Sequence, residues 1–485
     1  MELRARLQRS YPYKDLFAHL LGYVGKISVK DLQRIDKSLY SGTDYIGKSG
    51  IEARYEKQLL GQPGFEQVET NAYGRVVRHL SRKLPVAGDD LYLALDVGLQ
   101  QIATSALAGR RGAVVAVDPA NGAVLAMVTS PSYDPNLFVN GIGEAGFAAL
   151  RNNPDRPLID RTIQGRYAPG STIKPIIGVL GQENGWSKDK VVFCPGYFRL
   201  PGKLHKYRDW KRGGHGAVSL EAAITQSCDV YFYTLAVALG IQKIHDFMLQ
   251  FGLGVRTGID LNGESSGLVP DPAWKRRVQG KPWYPGETVV TGIGQGYMLA
   301  TPLQLAVYTA TLSQRGQRRI PYLVAAKRSP GGPKITLQHG PQPPPVKVKS
   351  AANYRTVLQG MLNVVHGRRG TARRMGRNLG YKMAGKSGTA QVIGIAQGKR
   401  YKASEIAERF RDHALFVAFA PFSKPQIAVS VVIENAGGGS RFAAPVARQV
   451  IDYYLLDQYQ HYNSYAHVSG TNQSITDVSE VVEGG

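Results

Sequence analysis

Two widely separated pairs of apolar runs constrain the fold of this chain more than any other feature. Residues 112–117 and 123–128 flank one short turn sequence, and residues 413–420 and 426–433 flank another. Apolar, β-branched runs on either side of a turn sequence are typical of β-hairpins. A fifth run, at 388–393, predicts one further strand. The sequence therefore predicts a five-stranded antiparallel sheet to which two distant parts of the chain contribute.

Three apolar stretches predict helices long enough to cover such a sheet: residues 171–184, 220–239 and 443–456. Helices packed on an antiparallel sheet make an α/β sandwich, and we expect that architecture for residues 90–459. Residues 1–89 carry short helical stretches broken by glycines, which predict a separate, non-catalytic unit. Residues 460–485 are rich in Ser, Thr, Asn, Gly and acidic residues, so we expect a disordered tail there.

A serine and a lysine three residues apart, Ser171 and Lys174, stand at the start of the first predicted helix. Residues with this spacing share a helix face, so the amine comes within reach of the hydroxyl. A neutral lysine can then serve as the base for a serine nucleophile, and the helix N-terminus offers N–H groups to an oxyanion. The same spacing occurs in Ser187 and Lys190, within a charged segment, and Ser171 alone is equally well explained as a helix N-cap.

Two further groups of polar residues strengthen the prediction for Ser171. Ser227 and Asp229 precede an apolar run and can place a hydroxyl and a carboxylate on one side of a cleft. Lys386 begins a Lys-Ser-Gly-Thr sequence that opens the fifth predicted strand. The chemistry requires a second lysine, since burial and a nearby cation both lower the pKa of an amine that acts as a base. The predicted catalytic residues are Ser171, Lys174, Ser227, Asp229 and Lys386.

In this order, the three motifs resemble the signature of the serine penicillin-recognising enzymes. The similarity to their transpeptidase domain covers residues 91–457 and includes the segments 167–175, 251–254, 292–296, 370–372 and 412–421. The chain is most similar to the elongation-specific class B penicillin-binding proteins, which resemble it also in the aspartate at position 229, where most members of the wider family carry asparagine. The resemblance implies a penicillin-binding, serine β-lactamase-like sandwich that follows an N-terminal pedestal segment.

The resemblance also implies a role for each catalytic residue. Ser171 attacks the carbonyl between the two terminal D-alanines of a peptidoglycan stem peptide, and Lys174 takes its proton. Ser227, helped by Lys386, passes a proton to the leaving D-alanine. Asp229 either contacts substrate or only orients Ser227.

Substrate binding is implied for three consecutive residues. Ser387 and Thr389 hold the substrate carboxylate, and Gly388 lets the substrate approach the backbone. The backbone N–H groups of Ser171 and Thr389 form the oxyanion hole. An amine from a neighbouring strand resolves the acyl-enzyme into a cross-link, β-lactam antibiotics stall the same intermediate, and no cofactor is needed for catalysis.

By resemblance, the protein works in cell elongation and rod shape with a SEDS-family glycosyltransferase and the scaffold protein MreC. We expect a single membrane anchor ahead of this sequence and a place on the periplasmic face of the bacterial inner membrane. No stretch of the sequence itself resembles a transmembrane helix. The longest early apolar stretch, at 16–24, is far shorter than the roughly 20 residues that cross a bilayer.

A metal site is predicted beside the second motif. The only two cysteines, Cys194 and Cys228, fall in one segment together with Asp209 and His215. Two thiols, a carboxylate and an imidazole suit a closed tetrahedral zinc site, and Cys228 stands in the middle of the Ser-x-Asp motif. We therefore predict a structural zinc that braces this motif from behind. A disulfide and two unrelated buried thiols are the alternatives.

The formal net charge of +24 implies an acidic partner or surface. The basic residues are scattered in short groups without a zinc-finger or helix-turn-helix signature, so we expect an anionic cell-wall polymer or membrane surface as the partner and no nucleic acid.

Three rival functions remain. A β-lactamase is disfavoured because this chain has no Glu-x-x-Leu-Asn segment after Ser227. A bifunctional enzyme needs a glycosyltransferase domain, for which the residues before Leu91 are too few. A non-catalytic penicillin sensor is disfavoured because Ser171 and Lys174 are intact.

Overall fold

The computed structural model describes residues 8–394 and 405–457. The predicted disordered tail at 460–485 lies outside these ranges. Residues up to about 89 form short elements, of which the strands pair as two separate hairpin-like ribbons. Their helices are Ala18–Leu21, Val29–Leu32, Gly50–Arg54 and Glu56–Leu59, and their strands are Val24–Lys26, Tyr45–Gly47, Phe65–Thr70 and Val76–Lys83. This part packs on the rest of the chain, and among its contacts the Tyr55 hydroxyl donates to Asp260 at 2.8 Å.

The centre of the remaining chain is a five-stranded antiparallel sheet. Its strands in chain order are β1 (Gly112–Val117), β2 (Val124–Ser130), β3 (Ala384–Ala390), β4 (His413–Ala420) and β5 (Ile427–Ile433). Their spatial order is β3-β4-β5-β1-β2, so the two predicted hairpins lie side by side and β3 occupies an edge. Nearly every residue of these strands is buried, which explains why they appear in the sequence as continuous apolar runs. The predicted sheet is confirmed.

Helices flank this sheet, as predicted. Those that matter for the site are α1 (Val97–Leu107), α2 (Lys174–Glu183), α3 (Leu220–Gln226), α4 (Asp229–Leu239), α5 (Pro302–Ser313), α6 (Ala352–His366) and α7 (Gly439–Asp452). Helices α1 and α7 pack on each other and on the sheet, while α5 packs on β5, where the Ser430 hydroxyl donates to the Pro302 carbonyl at 2.6 Å. The other helices are Asn136–Val139, Glu144–Asn152, Ile241–Gln250, Pro272–Gln279 and Pro285–Thr291.

Smaller elements complete the fold. The remaining strands are Asp90–Leu93, Val192–Cys194, Tyr197–Phe198, Tyr207–Arg208, Gly216–Val218, Val324–Arg328 and Lys334–Thr336. Short 3₁₀ turns occur at Lys14–Leu16, Gly170–Ile173 and Glu408–Phe410, and a π-helical turn at Tyr453–Asp457 follows α7. Within the described ranges, no helix is both long enough and apolar enough to cross a membrane.

Two differences from the predicted elements lie at the site. The fifth strand was placed at 388–393, but it spans Ala384–Ala390, so it begins earlier and Lys386 lies well inside it. The apolar stretch 220–239, for which the sequence predicted helix without a break, is divided into two helices because the backbone turns left-handed at Ser227. In both places, buried polar side chains interrupt the apolar pattern on which the prediction depended.

Candidate active site

Ser171 lies in the 3₁₀ turn Gly170–Ile173, which leads directly into α2. The turn is packed tightly between β3 and the loop that contains Gly294. The Gly170 N–H donates to the Gly294 carbonyl at 2.8 Å, and both glycines have positive φ, 54° and 71°. A Cβ on Gly170 would lie 2.6 Å from the carbonyl oxygen of Thr389. Glycine is therefore required for the nucleophile turn to approach the edge strand this closely.

Lys174 is the first residue of α2, and its side chain is fully buried. Its Nζ donates to Asp229 Oδ1 at 2.7 Å, to the Ser227 carbonyl at 2.9 Å and to Ser227 Oγ at 3.3 Å. The structure therefore brings the Ser-x-x-Lys and Ser-x-Asp motifs into direct contact. The carboxylate of Asp229 contacts the lysine itself.

Ser227 occupies the corner between α3 and α4 with φ 58° and ψ 41°. A left-handed serine is uncommon and costs of order 1–3 kcal/mol, so the surroundings must hold it in place. The Trp210 indole N–H donates to the Ser227 carbonyl at 3.1 Å, and the Trp210 backbone N–H donates to Asp229 Oδ2 at 2.9 Å. This conformation directs the Ser227 hydroxyl at both buried lysines.

Lys386 is the second of these lysines and is fully buried within β3. Its Nζ donates to Ser227 Oγ at 2.8 Å and to the Ser387 carbonyl at 3.0 Å. Burial, reinforced by the charge of Lys174, lowers the pKa of Lys386 well below its usual value, while Asp229 opposes this shift. Two amines thus share one hydroxyl, and burial shifts the pKa of one of them, Lys386, towards the neutral form.

The predicted substrate-binding residues follow Lys386 along the edge strand. Ser387 Oγ lies 2.9 Å from the hydroxyl oxygen of Thr371, and the Thr389 carbonyl accepts a hydrogen bond from Gln295 Nε2 at 2.8 Å. A Cβ on Gly388 would lie 2.8 Å from a Thr172 methyl group, so the strand packs directly on the nucleophile turn. The outer side of an edge strand can pair with an extended peptide.

Ser187 and Lys190, which share the Ser-x-x-Lys spacing, lie in a surface turn. The Lys190 N–H donates to the Ser187 carbonyl at 3.1 Å, and the Lys190 amine lies 3.7 Å from the centre of the Trp186 ring. No other motif approaches this pair in the part of the chain that the structure describes.

Three site residues were missed from the sequence. Gln295 and Thr371 belong to segments that carried the resemblance, but nothing in their spacing revealed which residues they contact. Trp210 had no signal of its own, because it reaches Ser227 only through the folding of the loop between Tyr207 and Gly216.

The four predicted metal ligands come together behind the Ser-x-Asp motif. Ligand atoms of Cys194, Asp209, His215 and Cys228 all lie within 4.8 Å of one another. Asp209 Oδ2 is 3.4 Å from the Cys194 sulfur and 3.5 Å from the Cys228 sulfur, and His215 Nδ1 is 3.6 Å from the Cys194 sulfur. Both cysteines are free thiols.

The chemistry of this cluster fits a divalent cation. All four side chains are buried, and burial, with the nearby Asp209 charge, raises the pKa of both Cys194 and Cys228. A bound cation reverses that effect because it favours the thiolate. Asp209 Oδ2 also accepts the backbone N–H groups of Asp229 at 2.8 Å and Val230 at 3.2 Å, so the cluster is tied to the catalytic corner.

Comparison with known proteins agrees with this geometry. A family model described as penicillin binding protein transpeptidase domain matches residues 112–452. The chain belongs to the penicillin-binding proteins. A second family model, described as penicillin-binding protein dimerisation domain, matches residues 1–93 of this penicillin-binding protein. The elements that hold the buried lysines all fall within the transpeptidase match.

Two relatives of this penicillin-binding protein are named peptidoglycan D,D-transpeptidase MrdA. The protein from Acinetobacter baumannii is 47% identical over 459 residues, which cover 94% of this chain and 67% of the relative. The protein from Escherichia coli K12 is 42% identical over 461 residues, which cover 94% of this chain and 72% of the relative. This chain is accordingly a transpeptidase of the elongation-specific PBP2 type.

Solved structures of similar penicillin-binding proteins share the fold. Pseudomonas aeruginosa PBP2 in complex with WCK 5153 has a TM-score of 0.84 and 47% identity, over 94% of this chain and 92% of that one. Helicobacter pylori PBP2 in complex with MreC has a TM-score of 0.83 and 32% identity, over 93% and 79%. A chain of a peptidoglycan synthase complex has a TM-score of 0.79 and 32% identity, over 93% and 77%.

Proposed function

We propose that this transpeptidase cross-links peptidoglycan stem peptides during cell elongation through an acyl-enzyme on Ser171. One observation carries the assignment of residues. Two buried amines, Lys174 and Lys386, reach the same hydroxyl, Ser227, beside the turn that presents Ser171. Such a chain can pick up a proton at one end and deliver it at the other without any cofactor.

In the acylation step, Ser171 Oγ forms a bond to the carbonyl carbon between the two terminal D-alanines. A proton first moves from Lys174 through Ser227 to Lys386, whose neutral form burial favours. Lys174 can then accept the proton of the Ser171 hydroxyl. The negative charge that develops on the carbonyl oxygen is held by the N–H groups of Ser171 and Thr389, where a single donor is typically worth about 10²–10³ in rate.

When the tetrahedral intermediate collapses, the C–N bond breaks, and the leaving amine takes its proton from Ser227, which is replenished by a lysine. Ser387 and Thr389 hold the carboxylate of the leaving D-alanine. In the second half-reaction an acceptor amine attacks the ester carbonyl, its proton enters the same relay, and the C–O bond to Ser171 breaks with return of a proton to the serine. A β-lactam acylates Ser171 by the same first step and blocks the second.

Acylation by a fluorescent penicillin tests this proposal. We expect Ser171→Ala to abolish covalent labelling and Ser187→Ala, at the surface turn with the same spacing, to leave it at the wild-type level. Labelling that survives Ser171→Ala overturns the assignment of the nucleophile. Rapid turnover of a chromogenic cephalosporin by the wild-type protein points instead to a β-lactamase.

We further propose that Cys194, Asp209, His215 and Cys228 hold a structural zinc ion. Its charge favours the thiolate form of both cysteines and offsets them and the carboxylate within one buried space, and it fixes Asp209, which anchors the backbone of Asp229. Elemental analysis of protein purified without chelator is expected to find about one zinc per chain. Cys194→Ala is expected to lose it, and wild-type protein that is properly folded and free of metal contradicts this proposal.

The partners proposed for this chain are MreC and a SEDS-family glycosyltransferase, supported by similarity to PBP2 in complex with MreC and to a chain of a peptidoglycan synthase complex. We place the full-length protein on the periplasmic face of the inner membrane, held by a single anchor ahead of this sequence. Co-purification of the anchored protein with MreC is the test, and the absence of MreC from the purified protein contradicts this proposal.

A further inference from the structure

A basic pocket adjoins the catalytic corner and has no role in the acylation chemistry. It encloses about 540 Å³ and is lined by Trp210, Lys211, His215, Gln226, Arg369, Gly370 and Thr371. Two of the lining residues, Lys211 and Arg369, are cations, and none is a carboxylate. Neither cation makes an ion pair with any acidic side chain in the described ranges, although this chain has many such pairs elsewhere. The pocket is therefore suited to an anionic group of a bound ligand.

The pocket borders the side of the cleft that handles the leaving group. On one wall, Gln226 directly precedes Ser227, and the Trp210 indole N–H contacts the carbonyl oxygens of both at 3.1 Å. On the other wall, Thr371 contacts the hydroxyl of Ser387 at 2.9 Å. Ser227 and Ser387 are the two residues to which we assign the amine and the carboxylate of the departing D-alanine.

The second half-reaction reuses this position. The acceptor amine must attack the acyl carbonyl from the place that the leaving amine has vacated, because the same relay takes its proton. An acceptor that fits there presents an amine next to a carboxylate, as D-alanine does. The rest of the acceptor peptide must then extend away from Ser171, beyond Ser227 and Ser387, where the basic pocket lies.

On these grounds, and resting on the transpeptidase function proposed above, we propose that the pocket is the acceptor subsite. Lys211 and Arg369 bind a further carboxylate of the incoming peptide and hold its amine against the acyl-enzyme. The acyl-enzyme can react either with the acceptor amine, which gives the cross-linked product, or with water, which gives hydrolysis. By binding anionic acceptors, the pocket favours the first reaction over the second. It takes no part in acylation by the donor strand.

The partition can be measured with a small ester donor ending in D-alanyl-D-lactate. Two acceptors that differ in one group are compared: γ-glutamyl-diaminopimelic acid and the same compound with its glutamyl carboxylate amidated. For the Lys211→Ala, Arg369→Ala double variant, we expect the transfer-to-hydrolysis ratio with the carboxylate acceptor to fall by about three- to ten-fold, the range for two exposed ion pairs. The ratio with the amidated acceptor should change by less than about two-fold.

Arg355→Ala is the matched control, because Arg355 is an exposed arginine near the opposite end of α6 from Arg369. Penicillin labelling of the same samples reports whether the catalytic corner is intact, so a failure of the proposed transpeptidase function is seen separately. The inference is overturned if the double variant and the control give the same ratio, or if both acceptors lose transfer equally.

Discussion

Lys174 and Asp229 form a buried ion pair, with 2.7 Å between Nζ and Oδ1. The pair joins two motifs that lie on different helices, α2 and α4, and it gives Asp229 a contact that the sequence did not predict for it. The carboxylate contacts the proposed base and accepts the Trp210 backbone N–H, so it also holds the loop beside the pair. Its charge also acts on the more distant amine, because Asp229 raises the pKa of Lys386 against the effect of burial.

Asp229→Asn therefore tests how the two amines are coupled. The negative charge of Asp229 raises the pKa of Lys386, so without that charge this pKa falls further. Since acylation requires a neutral amine, the acidic limb of the pH–rate profile should move to lower pH. Acylation rates with a labelled penicillin between pH 5 and 9 measure the shift, with exposed Asp189→Asn as the control. An unmoved limb, or one moved to higher pH, contradicts the coupling.

The sequence predicted the four strands of the two hairpins correctly because these strands are buried and almost entirely apolar along their length. The edge strand Ala384–Ala390 was misplaced because Lys386 and Ser387 are polar residues at buried positions, the reverse of what burial patterns predict. The break between α3 and α4 was missed for a related reason. A serine with φ 58° has no sequence signature, since such a conformation is imposed by its surroundings.

The metal cluster was predicted as a set of residues but not as a geometry. Spacing cannot reveal that Cys194 lies opposite Gly216 in a two-stranded ribbon, and this pairing is what brings His215 next to Cys194. Contacts such as Gln295 to Thr389 depend on the packing of a loop onto an edge strand, which the local pattern does not encode. The sequence thus predicted which residues lie together at the site better than it predicted the contacts that hold them there.

Gly294→Ala is expected to disturb the nucleophile turn. A Cβ at this residue would lie 2.3 Å from the Gly170 carbonyl oxygen, and φ is 71°. Gly331→Ala is a matched control, with φ 70° and no atom within 4 Å of the added carbon. We expect the control to cost about 1 kcal/mol of unfolding free energy and Gly294→Ala about 1–3 kcal/mol more, with at least a tenfold slower acylation. Equal effects in denaturant unfolding contradict the steric argument.

Lys386→Met should abolish acylation and yet stabilise the fold. The folded state disfavours the protonated amine, because burial and Lys174 lower the pKa of Lys386. At pH values between the folded and unfolded pKa of Lys386, the unfolded chain therefore binds more protons than the folded one. The resulting loss of folding free energy is complete below the folded pKa, and it fades as the pH rises towards the unfolded pKa of about 10.4. The unfolding midpoint of Lys386→Met should exceed that of the wild type at pH 7, and the difference should narrow at pH 9. A difference that widens with pH contradicts the assignment.

Removal of the zinc ion that we propose is expected to slow acylation, although none of its proposed ligands touches Ser171. Asp209 links the cluster to the catalytic corner, since it accepts the backbone N–H of Asp229, whose carboxylate holds Lys174. Without the cation, two buried thiols and a carboxylate share one space, and the protonated cluster no longer fixes Asp209. We expect chelated protein to unfold at a lower temperature and to be acylated about 10–100-fold more slowly, the usual range when a residue that holds a metal or catalytic group in place is lost.

Added zinc should restore both the unfolding temperature and the acylation rate. Added magnesium should restore neither, because magnesium prefers oxygen ligands. Chelated protein with an unchanged melting temperature and acylation rate would show that the cluster holds the corner without a metal.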